Sequence, residues 1–174
     1  MIIIKYFLIL SLFIYSTIAY SGDPTGAMER HQNLIKEEKK RATNFSKGIA
    51  HFQKATKYEK KDKFSKAEQY YQKSIDFFFA HNREYVGTPE IFLFLGIAHG
   101  KIKKFDEAKI YFSIGLDIDP DHISLNEYLG SLYVSTNELD LAKKRLEKLK
   151  KCNCIEFENL NKIIEGLEKS YFIF

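Results

Sequence analysis

Few residues in this chain combine a reactive type with a spacing that does chemistry. The sharpest short motif is Cys152-Asn153-Cys154, whose two cysteines are the only ones in 174 residues. Two thiols across one residue can close a small, reducible disulfide, hold a soft metal in part, or clasp one element to the next. Two small buried residues at a helix end is the plainer alternative, and two thiolates alone do not complete a zinc site. Asp117, Asp119 and Asp121 alternate around Pro120. They lack the Gly and distal Glu of a calcium loop and read as a solvated turn. The five histidines, His31, His51, His81, His99 and His122, are scattered. A Gly-rich phosphate loop, a nucleophile elbow and a paired-histidine metal motif are all missing. The expectation is a protein that is not an enzyme and needs no cofactor and no metal.

The elements that carry these residues come next. Three Pro and nine Gly argue against a sheet-and-turn protein and against a long disordered linker. The net charge is +4, and it is unevenly placed: Glu29 to Lys73 holds 13 Lys and Arg against 6 Asp and Glu. Such a run is either a solvated face of Lys-rich helices or a surface for an anionic partner. Residues 1–21 have the pattern of a secretory signal peptide, with Lys5, an apolar run from Tyr6 to Tyr15, and small residues before a cut after Ala19 or Ser21. The run is short for a bilayer span, which takes roughly 20 apolar residues. Export to the periplasm or the exterior is expected, with an uncleaved N-terminal anchor as the alternative.

Self-similarity organises the rest. Phe64/Ala67/Tyr71, Phe105/Ala108/Phe112 and Leu139/Ala142/Leu146 share one spacing. Leu95-Gly96 and Leu129-Gly130 each stand twelve residues before the next Ala of the series. The second and third units are therefore 34 residues apart in phase, whereas Ala67 to Ala108 is seven longer. Small residues let two helix backbones approach to about 8–10 Å, so Gly96 is expected to face Ala108 across a helical hairpin. Pro120 ends the second helix of that hairpin. Thr88-Pro89-Glu90 opens its first helix, and Ser135 with Glu138 has capping-box spacing.

A 34-residue two-helix unit with these residues resembles the tetratricopeptide repeat (TPR). The second unit matches at Leu95, Gly96, Phe105, Ala108, Phe112 and Pro120, and the third at Leu129, Gly130, Tyr133, Leu139, Ala142 and Leu146. In the first, Ala55, Tyr58, Phe64, Ala67 and Tyr71 fit, but Lys54 stands where Leu is usual. The resemblance implies an all-α solenoid of about three repeats. The expected organisation is a polar lead-in helix or mobile segment at 22–47 and repeats at 48–81, 89–122 and 123–156. An insertion at 82–88 either extends a helix or forms a loop. A capping helix and apolar tail follow at 157–174, with Phe157, Leu160, Ile163, Ile164 and Leu167 on one face.

The resemblance also implies a concave groove lined by the first helix of each repeat. The positions that map to it are Ile49, Phe52, Thr56 and Glu59, then Glu90, Leu93 and Ile97, then Ser124, Glu127, Ser131 and Val134. TPRs that grip a peptide carboxylate use Lys and Asn at these places, and this chain has neither there. An apolar strip flanked by acids suits an amphipathic helix or extended segment with basic flanks. The expected function is a scaffold or adaptor in the cell envelope that binds another protein, and not nucleic acid. The alternatives are a membrane-surface role for the basic N-terminal half, and a thiol redox or metal role at Cys152 and Cys154.

Overall fold

The computed structural model describes residues 24–83 and 87–171, and every regular element among them is an α-helix. The helices are α1 (Pro24–Glu59), α2 (Phe64–Asn82), α3 (Pro89–Lys101), α4 (Phe105–Ile118), α5 (Ile123–Ser135), α6 (Leu139–Leu149) and α7 (Ile155–Tyr171). The expected leader, the middle of the insertion and the end of the apolar tail lie outside the described residues, as does the side chain of Leu167. None of the described helices is long and apolar enough to cross a membrane.

Among the described residues, those from Arg41 on form one compact unit and those before it belong to a separate one. In the first 40 residues, positions 28–40 of α1 are almost wholly exposed, Met28 and Leu34 included. From Arg41 on, α1/α2, α3/α4 and α5/α6 make three hairpins and α7 closes the series. A single hairpin cannot bury its own apolar face, so the core runs along the stack in three clusters that straddle neighbouring helices. Ala55, Tyr71, Ile75 and Phe78 join Ile91 and Leu95 in the first. Ala108 and Phe112 join Leu125, Leu129 and Leu132 in the second. Ala142 and Leu149 join Leu160 and Ile164 of α7 in the third. Phe157 packs against that last cluster, while Ile163 stays exposed.

Each hairpin turns by the same hydrogen-bond scheme. The N–H groups of Lys63, Lys104 and Glu138 donate back to the carbonyls of Tyr58, His99 and Tyr133 at 3.0, 2.9 and 2.7 Å. The residue before each donor, Asp62, Lys103 or Asn137, is left-handed with φ of 56°, 63° and 62°. This is the Schellman ending of a helix. The next helix begins at once, with Ala67, Ala108 and Ala142 donating to the carbonyls of Lys63, Lys104 and Glu138.

Several local expectations change. Gly96 does not face Ala108: a Cβ on Gly96 would lie 2.4 Å from the Phe112 ring, whereas Ala108 sits against Gly100. In an antiparallel pair the partner of each position steps backwards as the chain steps forwards, so Gly96–Phe112 and Gly100–Ala108 are successive rungs. The Ser135–Glu138 capping box does not form either. Helix α5 runs through Ser135, whose hydroxyl donates to the Leu132 carbonyl, and Glu138 is itself the residue preceding α6. Its carboxylate accepts from Lys109 and from Thr136. Thr88 does precede α3 with Pro89 at the first position, but its side chain makes no cap bond. Its hydroxyl bonds Glu90 and helps hold that carboxyl below its usual range.

Helix α4 ends at Ile118 and Asp119 is extended, as a residue before proline must be. Asn126, fully buried, pins the turn by donating to the carbonyls of Pro120 and His122 at 3.1 and 3.0 Å. Helix α2 runs to Asn82 and is 19 residues long against 14 for α4. The extra turn carries Phe78 into the core beside Gly48.

Candidate functional site

The first helices of the three hairpins, α1, α3 and α5, share one face of the stack. Two contacts tie α1 to α3 on it. Phe52 meets Phe94 edge-on at 5.2 Å, and Lys101 donates to Glu59 at 2.6 Å. Between α3 and α5 the same face holds a pocket of about 300 Å³. Gly96 and Gly100 border it, and its walls are Ile97, Phe105, Phe112, Tyr128, Ser131 and Leu132, with Lys101 among its lining. Tyr128 remains 41% exposed although large and aromatic.

The structure divides the expected groove residues into two sets. Ile97 and Ser131 line the pocket, and Leu93 packs beside Ile97 with a partly open side chain. The others are engaged in holding the solenoid together or lie apart from the pocket. Phe52 also meets Tyr71 edge-on at 5.3 Å, and Ile49 packs on the same cluster. Thr56 donates to the Gln53 carbonyl. Val134 packs on the third cluster. Glu127 accepts from Asn159 of α7 at 3.1 Å, and burial nevertheless raises its pKa. Glu90 is exposed and Ser124 half-buried. Of the positions mapped from the repeat, Ile97 and Ser131 are the ones that line the pocket. Tyr128, Phe105 and Lys101 were missed because they lie outside the mapped groove positions.

Glu59 shows the electrostatics of this face. Burial pushes its pKa up, but hydrogen bonds from Lys101 and Tyr71, with the Lys101 charge, outweigh burial and leave it lowered. The Tyr71 hydroxyl donates to the other carboxylate oxygen at 2.7 Å, and burial followed by that bond raises the phenol's own pKa.

These hairpins are recognisable in known proteins. Residues 89–122 match the tetratricopeptide repeat family model. No curated protein matches the chain in sequence. Among solved structures, one similar fold is the C-terminal TPR-containing domain of a putative FK506-binding protein of Plasmodium falciparum. Its TM-score is 0.51 at 19% identity, over 77% of this chain and 96% of that one. The second TPR domain of human RPAP3, solved with an HSP70 peptide, gives 0.50 at 18% identity, over 69% and 97%. The fold is a tetratricopeptide-repeat solenoid.

Within the TPR frame the remaining candidates find their places. His99 holds the position that Tyr58 and Tyr133 hold in the other repeats, since all three carbonyls accept the Schellman bond. It is buried, its Nδ1–H donates to the Leu95 carbonyl at 2.8 Å, and Tyr111 lies 4.8 Å away. Burial is the chief reason its pKa is lowered. Cys152 and Cys154 are joined as a disulfide, and Asn153 between them is left-handed. The bridge sits where α6 passes to the capping helix, with Cys152 packed on the third cluster. Among the described residues no group of three or more His, Cys, Asp or Glu converges on a point that could hold a metal ion.

Proposed function

We propose that the chain is a non-catalytic scaffold that binds a helix or extended segment of another protein across the face shared by α1, α3 and α5. The observation that carries this is the pocket at Gly96 and Gly100. The space of about 300 Å³ beside Ile97, between α3 and α5, has room for one bulky apolar side chain of a ligand. Tyr128 then covers it from the side, as aromatic residues do at interface hot spots. The RPAP3 domain of like fold holds an HSP70 peptide, but what it shares with this chain is fold, and the proposal rests on the pocket. Export through the N-terminal leader is part of the same proposal and sets the partner in the cell envelope or outside the cell.

The test places a photo-crosslinking residue at Tyr128 and, separately, at Lys144 on α6, in producing cells. One protein crosslinked from position 128 and not from position 144, and lost when Ser131→Arg fills the pocket, is the expected result. The same adducts from both positions, or none from 128, would overturn the proposal.

A further inference from the structure

The opposite surface of the first hairpin carries a feature that the groove does not use. On α1, Lys47, His51, Lys54 and Tyr58 recur at helical spacing, and on α2 so do Lys66, Tyr70, Lys73 and Phe77. The two stripes interleave into one column of rings. Phe77 stacks on His51 at 5.2 Å and 6°, His51 on Tyr70 at 5.8 Å, and Tyr70 on Tyr58 at 5.3 Å and 12°. All four rings are half-buried, so one edge of the column faces water.

Four ammonium groups lie over it. Lys47 stands 5.6 Å from the Phe77 ring, Lys54 and Lys73 stand 4.6 and 5.2 Å from Tyr70, and Lys66 stands 5.7 Å from Tyr58. Among the described residues none of the four pairs with a carboxylate. Asp76, on the flank of α2, accepts from Gln72 instead. Burial first, and then the charges of Lys73 and Lys54, hold His51 below its ordinary pKa. A bond from Lys54 likewise lowers the Tyr70 phenol. Contact between each ammonium group and a ring face gathers the four charges along the column.

We infer that this face docks on an anionic phospholipid bilayer, with Tyr58 and Tyr70 at headgroup depth and the four lysines against the phosphates. A single carboxylate or phosphate would draw the ammonium groups to a point. Here they are spread along the column, and Lys47 to Tyr58 alone covers about 16 Å of helix, which fits a charged plane. Tyr in the interface and lysines that attract anionic lipid are the two recognised elements of such a surface.

The full chain has no Trp, so Tyr70→Trp makes a single reporter inside the column and Tyr128→Trp a control in the groove. Vesicles of phosphatidylcholine, or of phosphatidylcholine with phosphatidylglycerol, carry a brominated lipid as quencher. Quenching and a blue shift are expected for Tyr70→Trp on the anionic vesicles alone, reversed at about 1 M salt. The control should not be quenched. Replacing Lys54 and Lys73 together by Gln should weaken partition roughly thirty-fold, with an unchanged helical spectrum. If Tyr70→Trp misfolds, Tyr58→Trp serves. Equal binding to neutral vesicles overturns the inference, and so does membrane binding that leaves position 70 unquenched, which would assign the binding to another part of the chain. Displacement by polyglutamate at matched charge would show a site for an acidic polypeptide and equally overturn it.

Discussion

The first and second hairpins solve one packing problem in two ways. In α3/α4 the crossing is made of two glycines, Gly96 against Phe112 and Gly100 against Ala108. The backbones come close and the contact is apolar. In α1/α2 the four equivalent places hold Ala55, Tyr71, Glu59 and Ala67. A carboxylate thus stands where the second hairpin has Gly100, and a phenol where it has Phe112. The Tyr71 hydroxyl donates to Glu59, and Lys101 from the next repeat completes the carboxylate. A dry rung has become a polar clasp that also reaches across the repeat boundary. The second hairpin is also the one that the family model matches, over 89–122.

The largest expected effect separates the two rungs directly. Phe112 is 2% exposed, and Phe112→Ala should lower stability by about 3–5 kcal/mol, the range for a deleted core aromatic. Tyr71→Phe keeps the ring and removes only the donor to Glu59. It should lower stability by about 1–2 kcal/mol, because Lys101 still satisfies the partly exposed carboxylate. Urea unfolding of both variants beside the parent is the measurement. A Tyr71→Phe chain as stable as the parent would show that ring packing alone holds the first hairpin, and the contrast between the rungs would fail.

How much of this was legible in the sequence follows from the same residues. The 34-residue step, the helical class and the small residues at the crossings were visible, because side-chain size at fixed spacing is a one-dimensional property. The pairing of Gly96 with Phe112 was not, since it depends on which rung of two antiparallel helices is shared. The clasp was invisible for a similar reason: Lys101 lies 42 residues from Glu59, beyond any local pattern. Glu138 misled as a capping-box residue because its partner Lys109 belongs to another hairpin. The basic stretch was read as a net charge. Its order as a ring column emerges only when α1 and α2 are laid side by side, although the 47/51/54/58 and 66/70/73/77 spacings were there to be paired.

A third prediction concerns His99, the one non-tyrosine among Tyr58, His99 and Tyr133. Burial lowers its pKa, the bond to Leu95 and the charge of Glu107 oppose this, and Lys104 adds to it. A histidine whose folded pKa is depressed is protonated first in the unfolded chain. Its contribution to stability is therefore complete above the ordinary value of 6.5 and is lost as pH falls from there toward the folded pKa. Unfolding midpoints at about pH 7.5 and about pH 5.5 should differ, by at most about 1.4 kcal/mol per pH unit below 6.5. His99→Tyr, which installs the residue of the neighbouring repeats, should flatten that slope. An unchanged slope would assign the acid sensitivity to the clasp at Glu59 or to another titrating group.

The smallest effect tests what the three turns share. Asp62, Lys103 and Asn137 are all left-handed, yet they are not equally suited to it. Asn and Asp tolerate that region through their short polar side chains, whereas Lys has no such relief. Glycine enters it without a Cβ clash. Lys103→Gly should therefore raise stability by about 0.5–1 kcal/mol, net of the greater freedom glycine gives the unfolded chain. Asn137→Gly and Asp62→Gly should gain less or nothing. Thermal unfolding of the three variants in one buffer decides it. Equal gains at all three sites would mean that the turn geometry alone sets the strain. A gain confined to residue 103 would mean that the strain sits in the glycine-crossed hairpin, whose turn ends in the least suitable residue of the three.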